Sequence, residues 1–143
     1  MQRIRTFLAA AAMALIAAGC SDSTGPNALA FLGRYRLVSV DGATLPLTLV
    51  DVPALKVTLT EGALTLNANS TFAQEVKLDV VANGFPAAPE RLSCGGTYRR
   101  SGNTFTMTGN ETEECSGMTA TGVLDGNTLT VSDDQGETLV FRR

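Results

Sequence analysis

The 143-residue chain has no histidine and no tryptophan, and its only lysines are Lys56 and Lys77. Without an imidazole there is no Ser-His-Asp or Cys-His hydrolase, no His-ligated zinc and no histidine general base. Aromatic residues amount to six Phe and two Tyr, few enough, beside many Ala, Thr and Gly, to leave a small barrel incompletely filled. The three cysteines form no C-x-x-C pair, which argues against a redox motif. A chain of this length makes one ordinary domain.

Long apolar runs are also missing, with one exception at the start. Arg3 and Arg5 precede an unbroken apolar run of 12 residues, Phe7 to Ala18, too short for a permanent membrane span and the right size for an export signal. The run ends in Ala17-Ala18-Gly19-Cys20, which resembles the lipobox of bacterial lipoproteins, with Ala17 standing where that family most often has Leu. The resemblance implies cleavage before Cys20, a thioether-linked diacylglycerol on its sulfur and an acylated amino group. Two or three acyl chains anchor a protein far better than one. Ser21, where an Asp would favour inner-membrane retention, points to the outer membrane of the cell envelope. The expected division is a signal over 1–19, a lipidated polar tether over 20–30 and a folded domain over 31–143.

The processed chain carries nine basic and fourteen acidic residues, a formal charge of −5. That balance argues against nucleic acid or anionic headgroups as partners. With Cys20 lipidated, Cys94 and Cys115 remain, and an even pair in an exported chain predicts one disulfide.

From Phe31 onward the apolar pattern has period two, and no segment carries a sustained helical stripe. In the clearest strand Phe72, Gln74, Val76, Leu78 and Val80 face one way, and Thr71, Ala73, Glu75, Lys77 and Asp79 the other. A first strand over 31–40, a tight turn at Glu61-Gly62, a long loop over 82–93 and quick hairpins after Gly96 complete the expectation. Residues 43–53, punctuated by Pro46 and Pro53, remain open between strand and loop. The chain is therefore all-β, an antiparallel up-and-down meander of eight or nine strands that hides its edges by closing into a barrel. Cys94 and Cys115 then fall at strand starts at one end of it.

Gly33-Arg34-Tyr35 on the first strand, Gly96-Thr97-Tyr98 later and the terminal Phe141-Arg142-Arg143 resemble the lipocalin plan within the calycins. Tyr35 replaces the family's Trp. The resemblance implies that Arg142 or Arg143 stacks over Tyr35 and closes the barrel base, a structural role. The chain also resembles small bacterial lipoproteins of the same strand plan.

Groups that could carry chemistry are few. Glu111, Glu113 and Glu114 crowd one loop and Asp133-Asp134-Gln135-Gly136-Glu137 another, but neither has EF-hand spacing, and solvated turn acids are expected in place of a metal site. Arg91, Arg99 and Arg100 offer an anion site. No catalytic residue and no cofactor is expected, and the protein is expected to be a monomeric non-enzyme. Two functions remain open: a membrane-tethered barrel holding one small hydrophobic ligand, or a filled barrel acting through its outer surface as an envelope interaction or inhibitor protein.

Overall fold

A computed structural model describes residues 29–110 and 116–143. Eleven antiparallel strands are formed: β1 (Gly33–Val40), β2 (Ala43–Thr44), β3 (Leu47–Val52), β4 (Leu55–Leu66), β5 (Thr71–Ala82), β6 (Phe85–Pro86), β7 (Glu90–Ser101), β8 (Thr104–Gly109), β9 (Thr119–Asp125), β10 (Thr128–Asp133) and β11 (Thr138–Arg142). Eight of them, β1, β4, β5, β7, β8, β9, β10 and β11, pair in chain order. β1 pairs with β4 through Gly33↔Leu66 to Arg36↔Ala63, and with β11 from Arg36↔Arg142 onward. That double pairing closes an up-and-down eight-stranded barrel, consistent with the lipocalin-like plan, with β2, β3 and β6 as additions.

The alternation read from the sequence sets the inside and the outside. On β8 and β9, Phe105, Met107 and Ala120 are buried while Thr104, Thr106 and Thr121 face solvent. The largest fully buried side chains are Tyr35, Leu64, Leu66, Phe105, Met107, Leu129 and Phe141, and among the described residues no polar or charged side chain is buried except the phenols of Tyr35 and Tyr98. Burying seven such groups at about 1.5–3 kcal/mol each supplies the main drive for closure.

Three expectations are corrected. Glu61-Gly62 is not a turn: β4 runs through it for 12 residues, with a bulge between Leu59 and Glu61. Gly62 is there for room, since a Cβ at that position would lie 2.7 Å from the Leu37 Cδ2. Residues 82–93 are not a long loop. Asn83 and Gly84 both take positive φ (51° and 82°), the conformation of a two-residue hairpin turn, and β6 and then β7 return along β5. Cys94 consequently lies inside β7, not at its start.

The extra strands widen one end. Beyond Arg36, β1 leaves β4 and pairs with β2, while the first half of β4 pairs with β3 through Leu47↔Leu59 to Val52↔Leu55. Residues 43–52, undecided in the sequence, thus form an arm across the split between β1 and β4. At this wide end β4, β5 and β7 extend past the shorter strands β8 to β11. The opposite, narrow end carries the tight connections Asn67–Ser70, Gly102–Asn103 and Gly126–Asn127.

Candidate functional site

The narrow end is plugged by the residues that enter β1. Phe31 folds under the barrel in a turn closed by the Leu32 N–H on the Leu29 carbonyl, 3.0 Å. Its ring meets Phe105 at 5.4 Å and stands edge-on to Tyr98 at 6.2 Å, spacings of favourable aromatic pairs. The Arg100 guanidinium lies 4.3 Å over the Phe31 ring, and that of Arg143 lies 4.7 Å over Tyr35. Arg143 also donates to the carbonyl of Ala30 at 2.6 Å and to that of Leu32. The Tyr35 hydroxyl donates to the Phe31 carbonyl at 2.6 Å, and that of Tyr98 to the Asn67 carbonyl at 2.6 Å. Burial raises the pKa of both phenols, and nearby Arg143 and Arg100 at Tyr35, and Arg100 at Tyr98, oppose that rise. Of the two terminal arginines, Arg143 covers Tyr35. Arg142 is exposed and stands opposite Arg36. Gly33 takes φ of +122°, a backbone conformation that L side chains rarely adopt, while the Arg143 guanidinium would make only ordinary contact, 3.8 Å, with a Cβ there.

The wide end is built differently. Along β5 and β7 the inward pairs run Phe72↔Gly96, Gln74↔Cys94 and Val76↔Leu92. The first is sealed: Phe72 is buried, and a Cβ on Gly96 would come within 2.7 Å of its ring. Above it the side chains are only partly covered. Gln74, Val76, Leu92, Ser93, Cys94 and Met118 line a recess of about 290 Å³. Among the described residues no charged side chain lines it, and its polar residues are Gln74 and Ser93. The Cys94 sulfur sits 3.9 Å from that of Met118. A recess of this size, apolar with a few polar groups, lies just under the roughly 300 Å³ at which small-molecule sites begin.

The remaining sequence expectations divide by position. Ala17, Ala18, Gly19 and Cys20 lie outside the described residues, as do Cys115, Glu111, Glu113 and Glu114. In the other acidic loop the Asp133 carboxylate accepts the N–H of Gln135 at 3.0 Å and of Glu137 at 2.8 Å. It is spent on turn geometry. Partial shielding, then the charges of Asp133 and Asp41, raise the Glu137 pKa. Among the described residues no three His, Cys, Asp or Glu side chains are grouped to hold a metal ion. The proposed trio of arginines does not converge either, because Arg91 lies at the wide end of β7 and Arg99 and Arg100 at its narrow end, eight residues or about 26 Å apart. Sequence reading missed the plug of Phe31, Tyr98 and Phe105, which carries no spacing signal because its members come from three separate segments. It also missed the recess, which depends on strand lengths.

No protein-family model matches the chain, and comparison with curated proteins finds no sequence match.

Proposed function

We propose that the protein is a lipid-anchored lipoprotein of the bacterial cell envelope, cut before Cys20 and held in the outer membrane by acyl chains on that residue, whose barrel is a non-catalytic module for one small hydrophobic ligand. The observation that carries the binding reading is the recess at the wide end, uncharged among the described residues, which begins where the filled core stops. Its position suits a ligand entering from the aqueous side, since residue 29, from which the tether departs, lies at the opposite end. Every carboxylate among the described residues is exposed or half-exposed and none lines the recess, which supports a carrier over an acid–base enzyme. The anchor rests on the lipobox resemblance alone.

A disulfide between Cys94 and Cys115 belongs to the same reading. Cys94 is engaged, not free, and the Asn110 N–H on the Gly95 carbonyl, 2.8 Å, holds Asn110, five residues before Cys115 in sequence, beside β7. Closing a loop of about 20 residues contributes roughly 3 kcal/mol on the chain-entropy account.

Titration with an apolar fluorescent probe tests the site. Val76→Asp places a charge in the recess and should weaken probe binding by about tenfold or more while the β-sheet circular dichroism persists. Equal binding by both proteins refutes the recess. The second reading, action through the outer surface, draws on one observation: Leu49, Val50, Val52, Leu55 and Phe85 are all exposed around the wide end, a grouping that marks interaction surfaces.

A further inference from the structure

The acidic chain is electrically lopsided. Within three residues of the strand ends at the narrow rim stand six arginines, Arg34, Arg36, Arg99, Arg100, Arg142 and Arg143, against Asp125, with Glu75 ion-paired to Arg34 at 3.2 Å. The wide end carries Asp41, Asp51, Asp79, Glu90, Asp133, Asp134 and Glu137 against Lys56 and Arg91. The net charge of the processed chain therefore hides a basic rim under an acidic body.

Two features give that rim a direction. Arg36 and Arg142 face each other across β1 and β11; like charges in that register destabilise a sheet unless anions screen them. At the narrow end a broad groove of about 860 Å³ is lined by Leu29, Leu32, Ala68, Tyr98, Arg99 and Arg100, among others. Leu29 is 64% exposed, so the rim offers an apolar side chain among cations, the combination that suits the headgroup layer of a bilayer.

The tether supplies the occupant. Residues 20–28 lead from the acylated cysteine to the narrow end, and nine residues span at most about 30 Å, with a root-mean-square reach of about 17 Å if flexible. We propose that the arginine rim docks onto an anionic phospholipid surface, so that the barrel stands with its narrow end on the membrane and its recess facing away. Tethering keeps the rim at high effective concentration over the lipid, so individually weak contacts suffice. The proposal rests on the anchored reading above and adds an orientation to it. It also revises the expectation, drawn from net charge alone, that anionic headgroups are unsuited.

The absence of tryptophan makes the test clean. Full-length protein carrying Ala68→Trp at the narrow rim, or Ala87→Trp at the wide end, is reconstituted into vesicles with brominated acyl chains. One set is phosphatidylcholine alone; the other contains equal parts phosphatidylcholine and phosphatidylglycerol. The Ala68→Trp emission should be quenched several-fold more in the anionic vesicles, while Ala87→Trp should not respond. High salt should abolish the difference, as should the exposed pair Arg99→Glu with Arg142→Glu. Quenching that ignores lipid charge, or that affects both reporters alike, overturns the proposal. Flotation with phosphatidylcholine vesicles reports the anchor separately. If that fails, the rim alone still predicts salt-sensitive flotation with the anionic vesicles, and its absence there sinks the rim independently of the anchor.

Discussion

The Arg143 guanidinium lies over Tyr35, 4.7 Å from the ring centroid, and its N–H groups close on the carbonyls of Ala30 and Leu32. One side chain from the last residue thus ties the end of β11 to the turn that enters β1. Loss of the ring contact costs about 0.5–1 kcal/mol, and each hydrogen bond about 1 kcal/mol. Arg143→Ala should lower stability by about 2.5–3 kcal/mol in a urea titration. Arg142→Ala, at an exposed position, should stay within about 0.5 kcal/mol. Equal effects would show that the terminal arginine does not close the barrel.

Tyr35 makes the narrow end sensitive to alkali. Its folded pKa is raised above 10.0, chiefly by burial, so its contribution is intact below the unfolded pKa and lost as pH rises through the folded value. Thermal melts should fall with pH above about 10. Tyr35→Phe should reduce that slope, Tyr98→Phe should reduce it further, and Tyr35→Phe should cost about 1–3 kcal/mol at neutral pH by stranding the Phe31 carbonyl.

At the wide end the sign is the same and the window lower. The Glu137 pKa is raised above 4.5 by shielding and by Asp133 and Asp41, so the folded state holds its proton longer than the unfolded chain. Stability from this group is present below the unfolded pKa and lost as pH rises through the folded one. Glu137→Gln should melt slightly higher than the parent at pH 7, and the gap should close near pH 4. A constant gap across that range contradicts the assignment.

Much of the barrel was legible. The alternation from Phe72 to Val80 fixed which residues face inward, and the short hairpins at Gly102-Asn103 and Gly126-Asn127 lie where glycine next to asparagine marks them. Three misreadings share a cause, that glycine and proline have more than one use. Gly62 serves the packing of Leu37 and not a turn. Pro86 sits in the two-residue strand β6 and Pro89 just before β7, and their presence outweighed the hairpin signal of Asn83-Gly84. The narrow-end plug and the recess were illegible because both are products of topology. Phe31 meets Tyr98 and Phe105 only after eight strands close, and Leu92 and Cys94 become a wall only because β7 outruns β8.

Gly96 offers a sharper test of that packing. A Cβ there would stand 2.0 Å from the Thr108 carbonyl oxygen and 2.7 Å from the Phe72 ring, and neither backbone nor ring can move aside cheaply. Gly96→Ala should destabilise by about 3 kcal/mol or more. Gly62→Ala, whose neighbours are atoms of the Leu37 side chain, should cost less. A reversed order in denaturant titrations would show that β7 and β8 do not approach as described.

The central claim is that the barrel carries a small hydrophobic ligand at its wide end, and native mass spectrometry of the whole protein purified from its own membranes tests it most directly. The account predicts discrete bound mass that survives purification, extracts into organic solvent and disappears in the Val76→Asp variant. A clean ligand-free mass, with no uptake from a mixture of host lipids, would contradict it and leave the outer surface as the working part of the molecule.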